Sequence, residues 1–169
     1  MKWSNALIAA AGLLLATSAT QAKQVMCVFD LVGKNGDVFT LMKDYQLAAK
    51  NWGADLELKV NSNESVIAEA FKAGKCDAVS ITGMRGRQFN SFTGSLDAIG
   101  AIPDLNLAVK VMQGLANPNF AKYMTSGKYE VVGVIPVGDA FLMVNDRNIN
   151  TVAKAAGKKI AVLDYDQAQ

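Results

Sequence analysis

The run Thr82-Gly83-Met84-Arg85-Gly86-Arg87 directly follows an apolar stretch at residues 76–81. Two guanidinia with one glycine between them have the reach to hold an anionic group, because each presents a planar fork of donors. The same residues also read as an exposed loop of solvated arginines. Asp30 closes a second apolar stretch, residues 24–31, and precedes a turn cluster at 32–36. Near the other end of the chain, Asp164, Tyr165 and Asp166 bring together two carboxylates and a phenol. Such a set can bind an amine or another cation, or it can be a frayed terminus. Asp30 and Asp77 fall in different apolar stretches, and nothing in their spacing pairs them for acid–base chemistry. Gly33-Lys34-Asn35-Gly36 lacks the Gly-Lys-Ser/Thr ending of a phosphate-binding loop.

What the chain lacks narrows the chemistry further. It contains no histidine, so Ser-His-Asp and Cys-His catalysis and His-ligated zinc are excluded. No Gly-x-Ser-x-Gly elbow is present. No enzyme activity, no metal and no cofactor are expected. The 17 basic and 15 acidic side chains among 169 residues give a net charge of +2, which argues against a nucleic-acid partner. Apolar residues make up 51% and charged residues 19%, so a buried core is expected and disorder is not.

The first 22 residues read as an address. Lys2 supplies a positive start, residues 6–16 form a short apolar run, and small residues lead to Ala22. This is the pattern of a secretory signal peptide cleaved after Ala22, and the apolar run is too short to cross a bilayer. No later segment has the length of a membrane span, so the exported chain is expected in the periplasm and not in the membrane. In an oxidising compartment an even pair of cysteines usually closes. Cys27 and Cys76 lie in two different apolar stretches that adjacent parallel strands would bring within range. The alternative is two buried thiols acting as small apolar side chains. No Cys-x-x-Cys is present, so a redox catalyst is not expected.

These residues need elements to position them. Strand patterns at 24–31, 56–60 and 76–81 alternate with helical ones at 37–52 and from Ser62 or Asn63 to 73. The first helix has Phe39, Met42, Gln46 and Ala49 on one face, and the second has Val66, Ala70 and Phe71 inward. Two such alternations predict an α/β fold with βαβ units and a mainly parallel sheet. Further on, strands are expected at 98–102, 130–136 and 141–144, and helices at 105–115, 119–126 and 150–156. Met84, Met112, Met124 and Met143 are expected to fill the core. A last strand at 159–163 has no helix after it. It either inserts at a sheet edge or marks the chain as a fragment, the reading preferred here. Ligands of open α/β sheets bind beyond the carboxyl ends of the strands. That rule makes Asp30, Thr82, Arg85 and Arg87 candidate ligand-binding residues on one side of a crevice, with Asp164 and Tyr165 facing them.

The order of elements resembles a known group. Gly53-Ala54-Asp55-Leu56-Glu57-Leu58-Lys59-Val60 follows the first helix. The stretch from Ser65-Val66-Ile67 through Gly74-Lys75-Cys76-Asp77-Ala78-Val79 then reads helix, Gly, polar residue, Asp, apolar strand. Together with Ala156-Gly157-Lys158-Lys159-Ile160-Ala161-Val162 it resembles the periplasmic solute-binding receptors of TRAP transporters. The nearest group within that resemblance is the solute-binding proteins named as accessory components of RND-type drug efflux. The resemblance implies a periplasmic-binding-protein-like lobe at 23–145 and the start of a largely missing second lobe at 146–169. It also implies a small-molecule ligand handed to membrane transporter subunits, with an accessory role in efflux as the alternative. TRAP receptors carry an arginine in the second-lobe strand that clamps a ligand carboxylate. Ala161 stands at the matching position, so that clamp does not carry over to this chain.

Overall fold

The computed structural model describes residues 23–98, 100–138, 141, 143–159 and 161. The predicted signal peptide, Asp164 and Tyr165 lie outside the described residues, as does most of the expected strand at 159–163. The elements are β1 (Gln24–Phe29), α1 (Asp37–Lys50), β2 (Leu56–Asn61), α2 (Glu64–Lys72), β3 (Ala78–Ser80), α3 (Gly83–Gly86) and α4 (Ser91–Leu96). They are followed by α5 (Leu105–Leu115), α6 (Ala121–Met124), the short strands β4 (Thr125–Ser126) and β5 (Tyr129–Glu130), and α7 (Val152–Ala155). The fold is α/β, as expected.

The organising unit is a three-stranded parallel sheet in the order β2-β1-β3. Gln24 to Phe29 pair with Leu56 to Asn61, and Met26, Cys27 and Val28 pair with Ala78, Val79 and Ser80. Asp77 extends the second ladder at its start. Its backbone N–H donates to the Val25 carbonyl at 2.8 Å, and its carboxylate accepts from the Val25 N–H at 2.7 Å. Because β2 and β3 flank β1 on opposite sides and parallel crossovers are right-handed, α1 and α2 cover opposite faces. The alternation of β1 follows from this. Val25, Cys27 and Phe29 pack with Ile67, Ala70 and Phe71 of α2, whereas Val28, fully buried, belongs to the other face. Burying one such valine contributes about 1.5–3 kcal/mol.

Cys27 and Cys76 are joined by a disulfide with their Cα atoms 5.8 Å apart, 49 positions apart in sequence. Both are buried and sit at the centre of the α2-side cluster with Ile67. The reading of two free thiols is thereby set aside. Closing a loop of this length stabilises the fold by about 4 kcal/mol on the chain-entropy account.

Several expected details differ. On α2 the inner face is Glu64, Ile67, Ala68 and Phe71, and Val66 is 52% exposed. Asn63 caps the helix through Val66 N–H, which sets the i, i+3, i+4, i+7 stripe from Glu64 onward. Residues 98–102 make no strand among the described residues. The Ala101 N–H closes a turn on the Ala98 carbonyl, and Gly100 adopts a left-handed φ of 77°, which a strand cannot accommodate. The expected helix at 119–126 shortens to α6, and Thr125–Ser126 instead pair antiparallel with Tyr129–Glu130. Beyond Glu130 the expected strands at 131–136 and 141–144 are absent among the described residues, and Met143 is 87% exposed, not core. Thr151, not Asn150, caps α7. The β4–β5 hairpin is fastened by rings: Phe71, Phe89 and Tyr129 pack with centroids 4.9–5.6 Å apart.

Replacing Cys76 by alanine is expected to lower unfolding stability by about 2–4 kcal/mol. Urea denaturation with and without a thiol reductant checks this. An unchanged midpoint would show that the bond does not constrain the chain.

Candidate functional site

In a parallel sheet of order β2-β1-β3, the chain leaves β1 toward one neighbour and returns on its other side. The switch point lies between β1 and β3, at their carboxyl ends. Residues 30–36 follow β1 there and residues 81–87 follow β3.

Asp30 is 5% exposed. One carboxylate oxygen accepts from the Val32 N–H at 2.8 Å and the other from the Phe39 N–H at 2.9 Å. The carboxylate thus serves as the cap of α1 from outside the helix, meeting an N–H of its first turn that has no partner within the helix. Gly36 lies against this carboxylate so closely that a β-carbon there would overlap it. The expected candidate therefore shapes the turn after β1 through backbone contacts.

On the β3 side the organiser is Glu64, which sequence reasoning passed over as an ordinary acidic residue opening a helix. Its side chain is 3% exposed. One oxygen accepts from the Thr82 N–H at 2.6 Å, and the other meets Arg85 Nε at 3.5 Å. The signal for it was present in sequence: an acidic residue one place after an Asn cap, on the same stripe as Ile67 and Phe71. Thr82 in turn accepts from the Arg85 N–H through its hydroxyl at 3.1 Å, capping α3. Arg85, with its side chain 17% exposed, is thus held just past the end of β3 by the carboxylate of α2 and the turn beneath it. Desolvating such a pair is costly, and the added Thr82 bond is what makes the geometry tenable.

Arg87 takes a different direction. Two positions along a helical turn point to nearly opposite sides. Arg87 is exposed, lies along Gly94 of α4 and places Nη1 3.7 Å from Met84 Sδ. Arg85 meets Glu64 of α2 whereas Arg87 lies against Met84 and Gly94. The segment read as a strand-end loop folds into α3, and α4 follows it. Thr93 donates its hydroxyl to the Gly83 carbonyl at 2.8 Å, Asp97 accepts from the Met84 N–H at 2.9 Å, and Asn90 caps α4 through the Phe92 N–H. Among the described residues no buried side-chain polar atom lacks a partner, and no group of three or more His, Cys, Asp or Glu is placed to hold a metal.

Comparison with known proteins gives the lineage. Residues 46–169 match the family model described as solute-binding protein AdeT 1/2. The chain belongs to that family. It is 56% identical over 142 residues to "Probable solute-binding protein AdeT1" of Acinetobacter baumannii, a match covering 84% of this chain and 47% of that one. It is 39% identical over 76 residues to "Probable solute-binding protein AdeT2" of the same organism, covering 45% of this chain and 32% of that one. The chain thus spans about half the length, or less, of the AdeT relatives it matches. No solved structure matches it. Within this AdeT-family chain, Asp30, Glu64, Thr82 and Arg85 stand at the open end of the parallel sheet, and no helix among the described residues is long and apolar enough to cross a membrane.

Removing the Glu64 carboxylate takes an acceptor from both the Thr82 N–H and Arg85. Glu64→Ala is expected to cost about 3 kcal/mol, the low end for breaking a buried pair because Arg85 keeps some solvent, and Glu64→Gln roughly half as much. Gly36→Ala is expected to cost about 1–3 kcal/mol through overpacking against Asp30. Urea midpoints of the purified variants measure all three, and wild-type values for Glu64→Ala would remove the organising role given to that residue.

Proposed function

We propose that the chain is the first α/β lobe of an exported solute-binding protein and that it takes a small polar solute in the crevice between β1 and β3. The observation that carries this reading is the strand order: with β1 between two parallel neighbours, the carboxyl ends of β1 and β3 form a switch point, the usual ligand position of open α/β sheets. Family membership and the AdeT relatives' names support it from a second side.

In this reading residues 1–22 are the signal peptide, 23–145 the first lobe and 146–169 the start of a second. Arg85, oriented by Glu64 and Thr82, contacts the polar head of the solute. Arg87 lies on the outer rim, and Asp30 holds the β1 turn that forms the opposite wall. Asp164 and Tyr165 contribute from the second lobe. Ligand binding draws the lobes together by hinge closure, as in the TRAP receptors, and the loaded protein delivers its solute to membrane transporter subunits. Arg85 directs the reading toward solutes with an anionic or strongly accepting group, while Ala161 separates it from the carboxylate clamp of TRAP receptors.

A second reading, an accessory protein of an RND-type efflux system acting by protein contact, draws on α1 and the turn after it. Tyr45, Leu47 and Trp52 there are 52%, 62% and 89% exposed, an unusual display of large apolar groups on one element.

Thermal shift against a panel of acids, phosphorylated compounds, amino acids, amines and aminoglycosides separates the two. A solute at 100 times its Kd should add about 2.7 kcal/mol of stability, and Arg85→Lys should weaken its binding about tenfold, since a bidentate contact is lost. A panel that leaves the melting temperature untouched would abandon the receptor reading.

A further inference from the structure

Asn35 is the only asparagine of the chain followed directly by glycine. It ends a short 3-10 turn, Gly33–Asn35, in the connection from β1 to α1. Its side chain is exposed and makes no hydrogen bond among the described residues. Asn61, Asn63, Asn90 and Asn117 instead accept backbone N–H groups two or three places on, and Asn150 accepts from Lys154 Nζ. Such bonds hold an amide in place, and Asn35 has none. The nitrogen that follows it is also open to approach. Gly36 has no β-carbon to shield it, its backbone is extended at φ −84° and ψ 161°, and its N–H donates to the Gly33 carbonyl at 3.2 Å, the long end of the usual range. The fold cannot exchange this glycine for a bulkier residue, because a β-carbon at 36 overlaps the buried Asp30 carboxylate. The packing that lets Asp30 cap α1 therefore forces on Asn35 the least hindered neighbour an asparagine can have.

We propose that Asn35 is a self-modifying position, where the side-chain amide is lost as ammonia without any enzyme. Hydroxide takes the Gly36 N–H proton, and the nitrogen attacks Cγ of Asn35. An N–Cγ bond forms, the Cγ–Nδ2 bond breaks, and Nδ2 leaves as ammonia with a proton from water. Water then opens the cyclic imide. Opening at Cγ gives an aspartyl residue, and opening at the backbone carbonyl gives an isoaspartyl residue. Nothing is oxidised or reduced, and one water is consumed for each ammonia released. The two products act differently on the lobe. The aspartyl product adds a negative charge beside the first turn of α1, where the helix dipole favours it. The isoaspartyl product moves the side-chain carbon into the backbone just ahead of Gly36. Gly36 has no spare room against Asp30, so the added length is taken up by the bonds around it. Those are the Gly36 N–H to the Gly33 carbonyl, and the Val32 and Phe39 N–H groups to Asp30. With age, the turn at the carboxyl end of β1 loosens.

The inference does not rest on the solute-binding reading, so a solute panel with no hit would leave it standing. The test ages the purified chain at neutral and at mildly alkaline pH and maps its peptides by mass spectrometry. Methylation by an isoaspartyl O-methyltransferase marks the isoaspartyl product. Asn35 is expected to convert at least tenfold faster than any other asparagine of the chain, and faster at the higher pH. Asn35→Gln should stop the acidic charge variant from accumulating. The isoaspartyl fraction, separated by ion exchange, should unfold at a lower urea midpoint than fresh protein, whereas Asn35→Asp should keep the wild-type midpoint. Amide loss spread evenly over the asparagines, an unchanged Asn35, or an Asn35→Gln chain that acidifies at the wild-type rate would each overturn the site. An isoaspartyl fraction as stable as fresh protein, or an Asn35→Asp variant as weak as that fraction, would overturn the backbone-lengthening account.

Discussion

Two buried carboxylates at one end of a three-stranded parallel sheet hold the rest of the lobe in order. A parallel sheet needs a helix between each pair of strands, and every such helix begins with N–H groups that have no partner of their own. At the carboxyl ends of β1 and β3 these donors crowd into one region. Asp30 accepts one of them, from Phe39, together with the turn N–H of Val32 on the β1 side, and Glu64 accepts the Thr82 N–H and meets Arg85 on the β3 side. Both carboxylates are almost fully removed from water. The cost of burying them is offset by bonds from the backbone and one guanidinium.

That constraint also shapes what the strand ends present. At the switch point the acidic groups already have partners, and Arg85 is oriented from behind by Glu64. The arrangement resembles an arginine held by a carboxylate more than a pair of arginines reaching into solvent. The α3–α4 turn, knit by Thr93, Asn90 and Asp97, keeps this segment at a fixed distance from the strand it follows.

The parallel core was legible in the residues because its signals are local. Alternation in Leu56, Leu58 and Val60, the face of Phe39, Met42, Gln46 and Ala49, and the Asn63 cap each reflect a period or a turn that a few neighbours determine. The disulfide was one of two readings of a pair of cysteines in stretches that adjacent parallel strands would bring within range, and it is the one present. The rule of strand ends locates Asp30, Thr82 and Arg85 just past β1 and β3, but it does not give their partners. Glu64 lies 18 residues before Thr82, and only the crossover of α2 brings them together. The region after residue 97 was read least well. Its apolar runs look like strands, yet a strand exists only where another offers a ladder, and for 131–138 none is present among the described residues. Gly100 and the tight hairpin at Gly127 break patterns that hydrophobicity alone would continue.

The bond between Cys27 and Cys76 turns β1, α1, β2 and α2 into a covalent ring. A single protease cut anywhere inside that ring leaves both pieces tethered, each still carrying part of the same apolar cluster. A cut in residues 131–138 has no such safeguard, because nothing covalent spans it. Wear on this molecule should therefore be uneven: the loops around Asp30 and Asn63 can be nicked and still hold their register, whereas the valine-rich stretch past the hairpin is where the polypeptide comes apart.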